Sequence, residues 1–248
     1  MRIAMIGSRG IPARAGGVER VVEELTRELS ARGHEVLVYA RPGYARQPWS
    51  GPGRIIPTPG LPGKHLDAIT HTATAMLAVS RRGADVVHIH SPGPALWSWL
   101  AAARGLPIVL TVHAPDWRRE KWTVPARLAL RAGLALGMRL ARAVTAVSPC
   151  LAEELTKTFG RQVLCIPNAV RPVQPVPARA IRAWGLKPDA YGLYVGRIEP
   201  EKRLDFLLRA WRGAAAGSFI PGRPPAGNCG RCNSSSISPW IRTRAWIP

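Results

Sequence analysis

The sequence is poor in acidic and aromatic residues, and no apolar run is long enough to span a bilayer. Its 248 residues contain 15 Asp and Glu against 35 Lys and Arg, with only three Phe and four Tyr. The missing long apolar run excludes a transmembrane helix, and no hydrophobic leader precedes the first apolar segment. We therefore expect a cytoplasmic protein, with peripheral contact to the inner face of an anionic membrane left open.

Cysteine is also scarce, and the four cysteines do not form a metal-binding pattern. Cys150 and Cys165 fall in predicted helix and strand surroundings, so we expect both side chains to be buried as small apolar groups. Cys229 and Cys232 have the spacing of half a zinc site, but no second pair of ligands follows nearby. Reduced thiols and no bound metal are expected.

The net charge of +20 is compatible with nucleic acid, an anionic membrane or a polyphosphate substrate as the partner. The basic residues are scattered among Gly, Ala and Leu, without the basic helix or aromatic strip of RNA-binding modules. We therefore expect no nucleic acid partner. The charge is raised by the end of the chain, where six Arg and no acidic residue follow Asp205.

Short apolar runs alternate with helical periodicity along most of the chain, which predicts an α/β fold with a doubly wound parallel sheet. A helix from about Val18 carries an apolar stripe, with Glu23 on its polar side and Gly33 placed to end it. A second long helix is expected over residues 66–80. The predicted strands are residues 3–6, 36–39, 55–56, 85–90, 108–112, 144–147 and 163–166.

The predicted organisation has a complete first domain and the beginning of a second. The first domain covers residues 1–170, and a Pro-rich linker covers residues 171–190. A second sheet begins with a strand at residues 191–195 and a helix at residues 203–211. The remaining residues, 212–248, have no periodicity, and we expect them to be irregular and disordered.

Glycines follow the first predicted strand where a doubly wound sheet binds its ligand, beyond the carboxyl ends of the strands. Gly10, Gly16 and Gly17 allow the backbone to approach an anion, and the free N–H groups at the helix start favour negative charge. The spacing is not Gly-x-Gly-x-x-Gly and no ribose-binding acid follows the second strand, which argues against nicotinamide. A tight turn without a ligand is the alternative. A second strand-to-helix turn contains Arg197 and Lys202.

Several other polar residues follow predicted strands. His113 ends a strand, a position typical of a binding site. His88 and His90 share one strand face, where a structural role is favoured over metal binding. Ser148 is predicted to cap a helix, with ligand contact as the alternative. The stretch at residues 116–122 combines two Trp with three cations and suits an acceptor-binding rim, a membrane-interface patch or a solvated loop.

The order of these segments resembles that of family 4 glycosyltransferases, retaining enzymes of the GT-B architecture with two facing Rossmann-like domains. The resemblance begins with Gly-Ser-Arg-Gly-Ile-Pro at residues 7–12 and Gly-Gly-Val-Glu-Arg at residues 16–20. It covers roughly residues 1–211. The remaining matches are residues 64–67, 116–122, 144–148, 166–170 and 194–202.

The resemblance implies a role for each candidate residue. His113 would touch the transferred sugar, and Arg197 and Lys202 would hold the donor diphosphate and act in catalysis. Gly16 and Gly17 would border the donor diphosphate or the acceptor, and Gly10 and Ser148, candidates from their places at strand ends, complete the donor-binding set. The donor would be a nucleotide-diphosphate sugar, and the acceptor a saccharide or a lipid-linked molecule. Neither metal nor cofactor is implied, and the expected process is cell-surface polysaccharide synthesis with retention of configuration.

The end of the chain departs from the family pattern. The family carries two glutamates eight residues apart downstream of the Arg and Lys motif, whereas no acidic residue follows Asp205 here. The stretch from residue 191 to residue 248 is shorter than the ~100 residues expected of a second domain. We expect a chain truncated or frame-shifted after about residue 211, with its transferase activity impaired by the truncation. The alternative is a non-catalytic sugar- or acceptor-binding half that requires a partner domain.

Overall fold

The computed structural model describes residues 1–14, 16–45, 48–61, 66–120, 122–169, 177, 179–182, 185–186, 192–195, 198 and 200–215. The chain divides into two compact units, Met1–Val170 and Arg171–Pro248. The first unit contains a parallel sheet with helices on both faces. In the second unit, the described residues form two helices and a short 3-10 turn.

The sheet of the first unit has seven strands in the order β3-β2-β1-β4-β5-β6-β7, all parallel. The chain order reverses between β1 and β4, so their carboxyl ends border the crevice where such sheets bind ligands. This arrangement confirms the predicted doubly wound α/β fold. The strands are β1 Arg2–Ile6, β2 Glu35–Ala40, β3 Arg54–Pro57, β4 Val86–His90, β5 Ile108–Val112, β6 Ala143–Ala146 and β7 Leu164–Cys165.

Helices connect successive strands, as parallel pairing requires. Those of the first unit are α1 Gly17–Ala31, α2 Pro42–Ala45, α3 Leu66–Arg82, α4 Pro92–Ala95, α5 Ser98–Ala102, α6 Val124–Leu140 and α7 Pro149–Phe159. A 3-10 turn at Asp116–Arg118 precedes α6. The second unit contains α8 Arg179–Arg182, a 3-10 turn at Pro200–Lys202 and α9 Leu204–Ala215.

Both faces of the sheet are buried, because successive side chains of each strand point to opposite sides. Along β1, Ile3 and Met5 join a small cluster under α1, whereas Ala4 and Ile6 join the larger cluster on the other face. The larger cluster includes Met76 of α3 and Met138 of α6. Each fully buried large apolar side chain contributes about 1.5–3 kcal/mol. These two apolar clusters fix the positions of the strands, whose carboxyl ends border the candidate site.

Glycine ends α1 as the sequence predicts. Gly33 has a left-handed backbone with φ of 81°. Its N–H donates to the Ser30 carbonyl over 2.9 Å, and the His34 N–H donates to the Leu29 carbonyl over 3.1 Å. These bonds satisfy carbonyl groups that the helix end would leave without partners. The chain then enters β2 at Glu35.

Two predictions are wrong: the burial of Cys150 and Cys165, and the strand at residues 191–195. Cys150 and Cys165 are both exposed. Cys150 lies in the first turn of α7 beside the buried Leu151, and Cys165 lies on the edge strand β7, which has an exposed burial pattern. The strand predicted at residues 191–195 is absent from its described part, residues 192–195. A strand requires a hydrogen-bonded neighbour, and among the described residues no second sheet supplies one.

The remaining differences concern boundaries. The last helix, α9, ends at Ala215 rather than at residue 211, so it includes the first residues of the predicted irregular segment. Residues 216–248, with Cys229 and Cys232, lie outside the described residues. Of the predicted linker, residues 171–190, the structure describes 177, 179–182 and 185–186, and α8 lies within it.

Candidate functional site

Two glycines allow the turn after β1 to lie close to the ends of neighbouring strands. Gly7 has φ of 104°, and a Cβ atom there would lie 2.3 Å from the carbonyl oxygen of His90. Gly10 has φ of 137°, and its Cβ would lie 2.6 Å from Ala40 Cβ. A side chain at either position would collide with β4 or with the end of β2. Gly10 is itself buried, and its predicted contact with a donor stays a prediction.

The start of α1 is open, in contrast to the crowded turn before it. Gly16 precedes the helix with extended backbone and has no side chain to cap it. Gly17 is exposed, and a Cβ atom there would meet nothing within 4 Å. The first N–H groups of a helix have no intrahelical acceptor, and the helix dipole is positive at this end. The geometry therefore suits an anion above Gly17.

A carboxylate of the first turn partly balances that positive end. Glu19 is buried, and its Oε1 lies 3.8 Å from Nε of Arg9. Its Oε2 lies close to Gly16, because a Cβ built there would come within 1.8 Å of it. A side chain at position 16 would meet only the flexible end of Glu19, which can move away. A side chain at position 7 would meet the backbone of β4, which cannot, so glycine is required at position 7 but not at position 16.

Glu23 ties the glycine turn to α1. The N–H of Ala13 donates to Glu23 Oε2 over 2.6 Å, and Arg27 donates to Oε1 over 3.1 Å. Burial raises the pKa of this carboxyl, but the bonds from Ala13 and Arg27 and the charge of Arg20 outweigh burial, so the pKa is lowered. Glu23 lies outside the apolar stripe of α1, as the periodicity predicts, but its side chain is nevertheless buried. The side chain is buried because the returning loop covers it.

A charged pair links the end of β2 to α3. The N–H of Arg41 donates to the Arg9 carbonyl over 2.9 Å. Arg41 Nη1 lies 2.6 Å from Asp67 Oδ2. Burial lowers the pKa of Arg41, and the charge of Asp67 opposes that change. Asp67 belongs to the predicted segment 64–67, whose Lys64 and His65 lie outside the described residues.

Three histidines gather at the carboxyl ends of β4 and β5. His113 Nε2 lies 3.1 Å from His90 Nδ1, with the ring centroids 5.3 Å apart. His88 stacks on His90 at 4.2 Å. The structure confirms that His88 and His90 share one face. Among the described residues, no group of three His, Cys, Asp or Glu side chains is arranged to hold a metal.

Burial keeps these imidazoles neutral near pH 7. It lowers the pKa of His113 to about 4 and, with a smaller effect of His113, that of His88 to about 4. Burial also holds the pKa of His90 well below its usual range, and the neighbouring His88 and His113 act in the same direction. A neutral imidazole has one N–H donor and one acceptor nitrogen. The hydrogen bonds therefore decide what each ring presents.

The polar row continues across the sheet through threonine hydroxyls. His88 Nε2 lies 2.8 Å from Thr111 Oγ1, which lies 2.8 Å from Thr145 Oγ1. Both threonines are buried. This row links β4, β5 and β6, and local sequence does not predict it because strand register determines which side chains meet.

Ser91 follows His90 in an unusual backbone conformation. Its φ is 79° and its ψ is 155°, a combination normally adopted only by glycine. The Ser91 N–H donates to the Thr111 carbonyl over 2.8 Å, which holds the segment against β5. Strained residues cluster at binding sites, and no sequence signal identified Ser91.

Ser148 caps α7 as predicted. Its hydroxyl accepts a hydrogen bond from the Leu151 N–H over 3.4 Å, and Pro149 occupies the first turn. This geometry fits the helix-start preferences of Ser and Pro. The alternative role of Ser148, contact with a ligand, stays a prediction.

The predicted rim at residues 116–122 is a packed turn at its centre. Trp117 is 8% exposed and belongs to the larger core cluster. Arg118 Nη2 lies 2.5 Å from Glu154 Oε1, and Arg119 Nε lies 3.1 Å from Asp116 Oδ1. Trp117 is therefore not available as an exposed rim or membrane contact.

The predicted diphosphate ligands belong to the second unit. Lys202 ends the 3-10 turn Pro200–Lys202 and is exposed. Arg197 lies outside the described residues. Their roles stay predictions.

A groove of about 480 Å³ lies at the opposite, amino-terminal end of the strands. The charged residues that line it are hydrogen-bonded to one another. Arg2 Nε lies 2.7 Å from Glu35 Oε2, and the backbone N–H of Arg2 donates to Asp85 Oδ2 over 2.6 Å. The lining of the groove, within the described part of the chain, includes Gly33 and Gly83 but no histidine. Among the described residues, none of the helices has the length and hydropathy needed to traverse a bilayer.

Comparison with known proteins shows which family has this pattern. The model described as Glycosyltransferase Family 4 matches residues 15–174. Glycogen synthase of Mycobacterium tuberculosis (strain ATCC 25618 / H37Rv) is 29% identical over 244 residues, covering 85% of this chain and 57% of that protein. D-inositol 3-phosphate glycosyltransferase of Kineococcus radiotolerans is 27% identical over 265 residues, covering 92% and 60%. The chain thus spans less than two thirds of the length of these relatives.

Solved structures share the fold. Sucrose-phosphate synthase from Thermosynechococcus elongatus matches with a TM-score of 0.65 and 21% identity, covering 84% of this chain and 59% of that one. WaaG, a glycosyltransferase involved in lipopolysaccharide biosynthesis, matches with a TM-score of 0.59 and 18% identity, covering 85% and 59%. Anabaena HepE in complex with UDP and glucose has a TM-score of 0.59 and 16% identity, covering 84% and 56%. The likeness confirms a Rossmann-like domain of the GT-B type.

Proposed function

Since the chain belongs to glycosyltransferase family 4, we propose that it transfers a sugar from a nucleotide-diphosphate sugar to a saccharide or lipid-linked acceptor. One observation carries the proposal. The family match over residues 15–174 includes both the open start of α1 at Gly17 and His113 at the carboxyl end of β5. The relatives are named as a glycogen synthase and a D-inositol 3-phosphate glycosyltransferase, so the sugar and the acceptor are left to experiment.

The donor diphosphate would bind where positive charge is available. The N–H groups at Gly17 offer hydrogen bonds to a phosphate, and the helix dipole favours its charge. By the family resemblance, Arg197 and Lys202 are the proposed ligands of the diphosphate, and Gly10, Gly16 and Ser148 are further proposed donor-binding positions. Cations that bind a diphosphate stabilise the negative charge that develops as the glycosidic bond breaks. The donor is a substrate in this scheme, which requires no separate cofactor.

His113 would contact the sugar through a hydrogen bond rather than by proton transfer. With its pKa lowered to about 4, the ring is a poor base at neutral pH. We therefore assign deprotonation of the acceptor to the leaving phosphate. The bond from the anomeric carbon to the phosphate oxygen breaks, and the acceptor oxygen bonds to that carbon on the same face. The acceptor proton passes to the phosphate, so the configuration is retained.

A lipid-linked acceptor would bring the protein to the inner face of an anionic membrane, with synthesis of a cell-surface polysaccharide in the cytoplasm as the setting. The helix α6 supports this part of the proposal. It contains Arg127, Arg131 and Arg139 and no acidic residue, and its Val124 and Leu128 are exposed. Basic side chains beside exposed apolar ones favour an anionic lipid surface.

The proposed activity can be tested with a panel of donors. The purified chain is mixed with UDP-glucose, UDP-N-acetylglucosamine, GDP-mannose or dTDP-rhamnose and with saccharide and lipid-linked acceptors. Release of nucleoside diphosphate is measured, and the anomeric configuration of any product is read by NMR. We expect release with at least one donor, strongly reduced in His113→Ala and unchanged in His34→Ala, a control before β2 at the other end of the sheet.

The outcomes separate transfer from binding. Release with product formation and retention supports the proposal, and an inverted product contradicts its mechanism. Binding of donor or acceptor without release favours the binding half that requires a partner domain. Absence of both binding and release across the panel overturns the proposed function.

A further inference from the structure

We propose that His90 is a positioning residue for His113, which it holds in the tautomer that carries the proton on Nδ1. In this arrangement His90 donates its own Nδ1–H to His113 Nε2. The tautomer is a property of the chain alone. Its use, to present a hydrogen-bond donor to the transferred sugar, rests on the proposed function of His113.

The geometry restricts His90 to this partner. His90 Nδ1 lies 3.1 Å from His113 Nε2, and His90 is fully buried. Its ring stacks on His88 at a centroid distance of 4.2 Å, which limits rotation of the ring. Its carbonyl lies against Gly7, where a Cβ would come within 2.3 Å. The residue is thus held through both its backbone and its side chain.

Two combinations of tautomers are possible for His90 and His113, and the hydrogen-bond partners of His90 favour one of them. The two facing nitrogens share one proton if both rings are neutral, so one ring donates and the other accepts. If His113 donates, the proton of His90 lies on Nε2. That atom is buried and has no hydrogen-bond partner among the described residues. If His90 donates, Nε2 is instead a bare acceptor nitrogen.

These two choices differ in cost. A buried N–H without an acceptor is rare in proteins, whereas a buried acceptor without a donor is tolerated more often. An unbonded buried N–H costs the full penalty of removing that group from water. We therefore infer that His90 donates. Its neutral ring agrees with the effect of burial, which keeps the pKa of His90 well below its usual range.

As a consequence, it is defined which nitrogen of His113 donates a hydrogen bond and which accepts one. Its Nε2 is the acceptor in the bond to His90, so its Nδ1 carries hydrogen. A neutral imidazole held in this form donates to a hydroxyl or ether oxygen of a sugar. The opposite tautomer would present a bare nitrogen on that side of the ring and would only accept.

Nitrogen-15 NMR of the full chain labelled at histidine tests the tautomer without any ligand. Protonated and bare imidazole nitrogens have well-separated chemical shifts, and the His113 signals are assigned by their loss in His113→Gln. We expect a protonated Nδ1 and a bare Nε2 in His113 at neutral pH. A protonated Nε2 in His113 of the unaltered protein overturns the proposal.

Two substitutions of His90 separate positioning from packing. His90→Asn keeps an amide donor near the position of Nδ1, so the Nδ1–H form of His113 should persist. His90→Leu removes the donor, so His113 should shift toward the Nε2–H form that free histidine side chains favour. His88→Gln is the control, because His88 also stacks on His90 but bonds to Thr111. The His113 tautomer should stay as it is in that variant.

Binding of the donor identified in the release assay provides the second readout. We expect a loss of about three- to tenfold in His90→Leu and recovery in His90→Asn, the effect of one hydrogen bond. An altered tautomer with unchanged binding would overturn the role in sugar recognition. If His90→Leu fails to fold, the unaltered protein and His90→Asn still decide the tautomer. If the chain binds no nucleotide sugar but shows the expected tautomer, the proposed function fails and the tautomer assignment stands.

Discussion

Gly17→Ala separates a phosphate-binding helix start from a simple turn, because the two interpretations predict opposite costs. Gly17 is the first residue of α1, and a Cβ there meets no atom within 4 Å. The methyl group therefore fits the folded chain without strain. Replacing a helical glycine by alanine should stabilise the fold by about 0.4–1 kcal/mol, chiefly by restricting the unfolded chain.

The same methyl group would occupy the space into which a phosphate must come. Loss of one N–H bond to a charged oxygen costs about 1.5–3 kcal/mol. We therefore expect roughly ten- to a hundredfold weaker binding of a nucleotide sugar by Gly17→Ala. Stability and affinity should change in opposite directions.

The assay combines denaturant unfolding with NMR titration of UDP-glucose, which detects weak binding. Gly43→Ala is a matched control, since Gly43 is also an exposed helical glycine whose Cβ would meet open space. It should show a similar effect on stability and no effect on affinity. Equal affinities for Gly17→Ala, Gly43→Ala and the unaltered protein would refute phosphate binding above Gly17.

Three further predictions concern stability. His88 and His113 have a pKa of about 4 when folded, against about 6.5 unfolded, so the unfolded chain binds more protons between these values. The free energy of unfolding should have its full value above pH 6.5. It should fall as the pH drops toward 4, by up to about 3 kcal/mol for each histidine taken alone. Denaturant unfolding across this range measures the slope, and an equally steep slope in His113→Gln would contradict the assignment. Glu23→Ala should destabilise the first unit by about 1–3 kcal/mol in denaturant unfolding, since the Ala13 amide loses its acceptor. Glu28→Ala removes an exposed carboxylate that pairs with Arg32 and should cost less than about 1 kcal/mol. Equal losses would show that the loop does not depend on Glu23. Gly133→Ala should cost about 1–3 kcal/mol or more in thermal unfolding, because its Cβ would lie 2.2 Å from the Pro92 carbonyl oxygen, and an unchanged melting temperature would contradict the tight contact of α4 with α6.

The sheet was predictable from local sequence, because its strands are short apolar runs bounded by turn residues. The run at residues 108–112 forms β5 with the predicted limits. His113 could be identified as a candidate since it follows such a run directly. Ser148 could be recognised as a cap because a serine before proline at a helix start has a local meaning.

Contacts between distant segments could not be predicted in this way. His90 and His113 meet because β4 and β5 pair with His90 opposite Thr111, and register is set by the whole sheet. Glu23 is buried because the loop after β1 returns to it, although helical periodicity places it on the polar side. Cys150 was assigned to the core from its apolar surroundings, but the buried face of α7 begins at the next residue.

Binding of a nucleotide sugar at the carboxyl ends of the strands is tested most directly by mapping amide chemical-shift changes in the isotope-labelled chain as UDP-glucose is added. We expect changes around Gly7 to Val18, at Ser91 and at His113, which lie at those ends. Changes centred on Arg2, Glu35 and Asp85, at the opposite end of the sheet, would contradict it. So would the absence of any shift with all donors of the panel at millimolar concentration.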